Sequence, residues 1–172
     1  HEQACQNIIE TFIGMHENRW ESKGQQSRYA TIERHRNFLQ HMTAALRREG
    51  KLFLRYLSLD GAIIAIAICM CEGKKIYYFL PTFDVQYHEL TPGKVLLYHI
   101  LGEAFEMGCD EVDLGPGTHD YKWSWTKDKR TVHYVVVFRG DWHVWLKDSA
   151  LPQLRRQGKL MMKRFFPGWV QS

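Results

Sequence analysis

The segment "KIYYFLPTFDVQYHELTPGKVLLYHILGEAFEMGCDEVDLG", residues 75–115, decides the fold. Its first nine residues, 75–83, have a strand-like period. Residues 95–108 place Leu96, Leu97, Ile100, Leu101, Ala104 and Phe105 at helical spacing, which predicts a helix with those six facing a core. "CDEVDLG" is then a short strand. Strand, helix, strand in that order implies a right-handed crossover and a parallel strand pair.

Working outward, "KLFLRYLSL" (51–59) and "AIIAIAICMC" (62–71) flank Asp60-Gly61, a strong hairpin signal. With the strand at 75–83 they predict an antiparallel meander. Two amphipathic helices precede it. The first, 4–20, carries Ile8, Ile9, Phe12, Ile13, Met15 and Trp20; the second, 31–49, carries Phe38, Leu39, Met42, Ala45 and Leu46. Downstream, Thr118 is a reasonable N-cap for a short helix containing Tyr121, with Trp123 and Trp125 expected in the core. A strand is expected at 131–139. Residues 141–148 read as a hairpin partner or a helix start, and 151–166 as a basic, broken helix with Arg155, Arg156, Lys159, Lys163 and Arg164 on a solvated face. The order α-α-β-β-β-α-β-α-β describes an α/β (α+β) chain: one mixed sheet flanked by helices, a single domain over residues 1–172.

Apolar residues make up 45% and charged residues 24% of the 172, as in a globular domain rather than a disordered chain. The net charge of +4 suits a phosphate-bearing ligand and falls short of a nucleic-acid signature. The four cysteines show no metal-binding spacing and read as free thiols in a reducing cytoplasm. No apolar run reaches the roughly 20 residues of a membrane span. The start at His1 suggests a domain taken from a longer protein.

Three places could carry chemistry. In "LTPGKVLL" (90–97), Pro92 suits a first helical turn, Gly93 removes side-chain bulk and Lys94 adds charge. The free N–H groups of such a turn bind anions, although the same spacing serves as a plain entry of a loop into a helix. The carboxyl ends of the parallel strands are the second place. Asp84 and Asp113 are expected near one cleft there, either as a general base or as a carboxylate holding a Gly-rich turn. His119, Tyr121 and Lys122 follow on the short helix: a base, a proton donor and a phosphate or aspartate partner, or a surface histidine and an aromatic cap. Third, His16, Arg19 and Trp20 end the first helix, where they could shape an acceptor site or simply finish the helix around one buried tryptophan.

Taken together, "MHENRW", "LRYLSLDGAIIAIAI", "YYFLPTFDVQYHELTPGKVLL" and "EVDLGPGTHDYKWSW" resemble the GCN5-related N-acetyltransferase (GNAT) superfamily. More narrowly, they resemble the acetyltransferase domain of bacterial proteins associated with cellulose or polysaccharide biosynthesis, distant relatives of the Fem aminoacyltransferases. The resemblance implies an acyl-CoA, most simply acetyl-CoA, lying between the third and fourth strands, with no metal. Its pantetheine would bond to backbone at Phe79, Leu80, Pro81 and Thr82. Its pyrophosphate would sit at Thr91, Pro92, Gly93, Lys94 and Val95. Asp113, Asp84 or His119 would take the amine proton, and Tyr121 would protonate the thiolate. His16, Arg19, Trp20 and Lys122 would meet the acceptor, an amine on a small molecule or glycan precursor. No nucleic-acid partner is expected; a homodimer or companion domain is compatible with the reading. Transfer from aminoacyl-tRNA, or a non-catalytic scaffold, are the alternatives. The superfamily loop Gln/Arg-x-x-Gly-x-Gly/Ala is replaced here by "HELTPGKV", with one glycine and a proline.

Overall fold

The computed structural model describes residues 2–27, 29 and 33–133. Two units divide the chain, His1–Lys127 and Asp128–Ser172, and every element named below belongs to the first. The helix and hairpin expectations beyond residue 140, and the strand at 131–139 apart from its first three residues, lie outside the described residues.

Asp60 and Gly61 both hold positive φ, 50° and 81°. That pair of left-handed residues gives the turn whose twist matches two antiparallel strands. It joins β1 (Leu52–Leu59) to β2 (Ala62–Glu72), and β3 (Lys75–Phe83) follows antiparallel. β4 (Glu111–Asp113) pairs parallel to β3, so the sheet runs β1-β2-β3-β4. β2 is internal and every residue of Ile64–Cys69 is buried, which explains why its sequence is a continuous apolar run.

Each face of the sheet is covered. α1 (Glu2–Glu21) and α2 (Glu33–Arg48) bury Ile9, Phe12, Ile13, Met15 and Leu39 against Ile66 and Ile68. On the other face, α3 (Pro92–Glu106) sets Leu96, Leu97, Ile100 and Ala104 against Phe53, Ala65, Ala67, Cys69, Ile76 and Tyr78. A two-pronged Arg55–Glu103 ion pair ties β1 to α3, with Nε donating to Oε2 at 2.7 Å. Arg55 holds the Glu103 carboxyl below its usual range, chiefly through these hydrogen bonds.

The helical stripes are narrower than the sequence suggests. Phe105 is 87% exposed and Phe38 62% exposed, so neither faces the core. Phe105 lies about 140° round the helix from Ile100, beyond the arc that meets the sheet. α2 instead buries Leu39 and Thr43. Trp123 is likewise largely exposed, whereas Trp125 packs against the α3-side cluster. A 3-10 helix, Val85–Leu90, also separates β3 from α3 where the sequence suggested only a connecting loop.

Two irregularities shape β3. Its register with β2 shifts between Ile68, which faces Leu80, and Cys69, which faces Tyr78. Phe79 is therefore an extra, exposed residue, a bulge that bends the strand. Side chains change phase across it: Ile76 and Tyr78 join the α3-side cluster, while Leu80 joins the α1-side cluster. Second, β4 meets only Lys75, Ile76 and Tyr77. From Tyr78 to Phe83, β3 has no strand on that edge among the described residues.

These burials set a stability contrast on one helix. Ile100→Ala should cost about 2–5 kcal/mol through its cavity. Phe105→Ala should stay within about 0.5 kcal/mol. Urea denaturation of both variants measures the difference.

Candidate functional site

The candidate cleft lies where β3 and β4 part, after Tyr77 and Asp113. Lys75 Nζ reaches Glu111 Oε1 at 2.8 Å and Asp113 Oδ2 at 3.0 Å, clamping the short parallel pair. Asp113 Oδ1 accepts the Gly115 N–H at 2.8 Å, and Gly115 turns the chain with φ 76°. Both Asp113 oxygens are thus engaged in holding strand and turn. Lys122 holds the same turn from α4 (Asp120–Trp123), donating to the carbonyls of Gly115, Pro116 and Gly117 at 2.9, 2.8 and 3.3 Å. Its partners are carbonyls rather than an aspartate, and burial pulls its pKa down while Asp113 opposes the shift. His119, not Thr118, occupies the N-cap position of α4 and makes no side-chain cap there. Its ring stacks on Tyr121 with centroids 6.3 Å apart.

Asp84 does not join Asp113. It follows the far end of β3 and accepts the Gln86 N–H at 3.0 Å, starting the 3-10 helix. Asp113 faces Tyr77, seven residues back along the strand. At strand rise that is about 20 Å. The sequence reading placed both at strand ends without knowing that β4 pairs only with the beginning of β3.

The start of α3 stands at that far end. Thr91 is left-handed, with φ 48° and ψ 47°, a costly conformation for a β-branched residue. The Thr91 carbonyl accepts the Lys94 and Val95 N–H groups at 2.8 and 3.2 Å. Those two donors are already used inside the turn. The Gly93 N–H has no partner among the described residues, and Pro92 has no N–H. A Cβ on Gly93 would stand 3.4 Å from the Phe83 ring, so the glycine keeps the approach open. Along β3, the Phe79 N–H is turned toward the buried Cys69 sulfur on the β2 side. Thr82 is buried and its hydroxyl has no partner among the described residues, and Leu80 packs toward α1.

The end of α1 forms the third wall. Trp20 Nε1–H donates to His16 Nε2 at 2.9 Å, and His16 Nδ1 lies 2.8 Å from Ser27 Oγ. The ring is therefore assigned as neutral with its proton on Nδ1. His16 and Trp20 brace the segment after α1, and Trp20 is partly exposed rather than buried. Arg19 reaches further. Its guanidinium lies 4.2 Å over the Phe83 ring and donates to the Pro81 carbonyl over a long 3.5 Å contact. It interacts electrostatically with Tyr78 and Tyr121, and burial lowers its pKa. Tyr78, Tyr121 and Phe83 pack on the same cluster. The sequence reading missed Tyr78 and Lys75. The alternation in "KIYY" set Tyr78 on the core face, but only the splay of the strands shows what its hydroxyl borders.

A family model described as Acetyltransferase (GNAT) domain matches residues 3–123, well over half of the chain. The chain belongs to the GNAT acetyltransferase domain family. Among solved structures, the ribosomal-protein-S18-alanine N-acetyltransferase from Escherichia coli is 23% identical with a TM-score of 0.37, the match covering 41% of this chain and 44% of that one. The chain thus spans less than half the length of that enzyme. An aminoglycoside acetyltransferase, meta-AAC0020, from an uncultured soil metagenomic sample, solved with sisomicin, is 16% identical with a TM-score of 0.46, covering 58% and 74%. The PaiA N-acetyltransferase from Thermoplasma acidophilum, solved with coenzyme A, is 16% identical with a TM-score of 0.42, covering 60% and 69%. No curated protein matches the chain.

The GNAT match embraces every wall of the cleft described above, from α1 to α4. No group of three or more His, Cys, Asp or Glu side chains able to hold a metal occurs among the described residues. No described helix is long and apolar enough to cross a membrane.

Burial raises the pKa of Tyr78 and Tyr121, and pushes the Cys69 thiol up to about 12. Each group is neutral in the fold and would ionise first in the unfolded chain, so its contribution is complete below the unfolded pKa and is lost as pH rises toward the folded one. Stability should hold from neutrality to about pH 9 and then fall. Combining Tyr78→Phe with Cys69→Ala should make that alkaline decline shallower. Urea midpoints measured across the alkaline range test it.

Proposed function

We propose that this GNAT domain transfers an acyl group, most simply acetyl, from coenzyme A to an amine. The observation that carries the reading is the edge of β3 from Tyr78 to Phe83, which has no strand beside it among the described residues, with the start of α3 near Phe83 and Tyr121 near Tyr78. An extended chain with amide groups could add itself to such an edge as a strand would. Pantetheine has that chemistry. The residues fit the rest of the cofactor as well: the unused Gly93 N–H and the Lys94 charge lie at the start of α3, where a pyrophosphate is favoured. Thr91, Pro92 and Val95 set the shape of that turn.

In this reading the acceptor amine attacks the thioester carbonyl. The C–N bond forms, the C–S bond breaks, and the sulfur leaves as a thiolate. The backbone N–H near Leu80 would polarise the carbonyl. Tyr121 gives its proton to the thiolate; its burial keeps the phenol protonated at neutral pH. His119, stacked on Tyr121, is assigned the proton from the amine. Asp113, with both oxygens engaged, and Asp84, at the opposite end of the strand, are assigned to holding the scaffold. The resemblance to the polysaccharide-associated branch favours an amino sugar or glycan precursor as acceptor, and a cytoplasmic setting for it.

Calorimetry with acetyl-CoA, coenzyme A and an unrelated nucleotide is the test. Both CoA species should bind and the nucleotide should not. Failure of either CoA species to bind at high micromolar concentration sinks the reading and leaves the scaffold or aminoacyl-tRNA alternatives. Gly93→Asp suits a helix N-terminus but sets a negative charge where the pyrophosphate belongs, so CoA affinity should fall at least about tenfold in a folded protein. Tyr121→Phe should lower turnover by about 10²-fold or more while affinity changes little. Equal loss of both would make Tyr121 a cofactor-contact residue.

A further inference from the structure

Arg19 and Arg55 are both half-buried and are treated differently. Arg55 is matched by Glu103 with two parallel hydrogen bonds. Arg19 has no ion pair among the described residues. It has the Phe83 ring beneath it, one long contact to the Pro81 carbonyl, and the phenols of Tyr78 and Tyr121 nearby. A guanidinium carries five N–H donors in a planar fork. Holding it partly desolvated with one weak acceptor is costly, because donors taken from water need partners. We infer that Arg19 is the receptor for a carboxylate carried by the acceptor amine, held by the guanidinium fork within the aromatic wall formed by Phe83, Tyr78 and Tyr121.

Charge count and distance narrow the ligand. Among the described residues no other cation acts on Arg19, and a single guanidinium suits a monoanion better than a phosphate dianion. The fork geometry suits a planar carboxylate. Burial holds the Tyr78 phenol protonated, so it can donate to the same anion while Tyr121 is left to the thiolate. Arg19 meets β3 at the Pro81 carbonyl, one residue beyond Leu80, about 3.3 Å at strand rise. If the thioester carbonyl lies by Leu80, the acceptor's amine and carboxylate are separated by a few bonds, as in an amino acid or an amino-uronic sugar. This inference rests on the acyltransfer reading, which supplies the amine.

The test is direct and does not need turnover. The Arg19 guanidinium Nε–H signal is followed by NMR, assigned by its loss in Arg19→Lys, with and without bound coenzyme A. Glycine and glucosaminuronic acid should shift it saturably, while glycinamide and glucosamine should not. In acetyl transfer from acetyl-CoA, glucosaminuronic acid should surpass glucosamine in kcat/KM by about tenfold or more. Arg19→Gln should erase that preference, and Arg19→Lys should restore part of it, with CoA affinity changed less than about threefold. A signal moved by coenzyme A's phosphates and by neither carboxylate would overturn the inference, assigning Arg19 to the cofactor. So would equal response to acids and amides, or an unchanged preference in Arg19→Gln. If CoA fails to bind but the carboxylates still shift Arg19, the acyltransfer reading fails and the carboxylate site stands.

Discussion

The cleft exists because β3 and β4 are allowed to pair over three residues and no more. Parallel pairing is fixed at its beginning by Lys75, which draws Glu111 and Asp113 of β4 to itself. It is ended by Gly115 and by the Lys122 ammonium gathering three turn carbonyls. None of these exposed or half-exposed contacts is worth much singly. Together they decide where the fourth strand stops, and everything proposed for the domain depends on the edge left beyond that stop.

Around the edge, each wall is supplied by a different part of the sheet's packing. α3 is set by Leu96, Leu97 and Ile100 on one face, with Arg55 and Glu103 fixing it to the distant strand β1. α1 is set by Phe12 and Ile13 on the other face and delivers Arg19 to the last residues of β3, Pro81 and Phe83. The cleft therefore samples both cores at once. Displacing either helix would move one wall against another.

Much of this was legible in the residues. The Asp60-Gly61 turn, the apolar run of β2 and the helix–strand alternation around 75–115 carry local signals strong enough to fix elements, order and a parallel pair. What remained hidden depends on relations between elements. Nothing local marks Phe79 as a bulge, because its exposure follows from the register of β2 opposite it. Asp84 and Asp113 look alike in sequence, both carboxylates after strands, yet a three-residue ladder separates them. Phe38 and Phe105 carry hydrophobicity without the angular position that burial requires. Arg19 was visible as a candidate, but that no described carboxylate pairs with it is a property of the assembled fold.

Phe79 joins neither hydrophobic cluster. Were it deleted, Tyr78 and Leu80 would become neighbours, and each could still reach the cluster it now serves, because alternation would continue unbroken. The core does not ask for this residue. It contributes length without burial, lodged between the half of β3 that holds the sheet together and the half that stands apart from β4. The two duties of that strand can therefore be separated at one position, with cohesion kept and the opening altered.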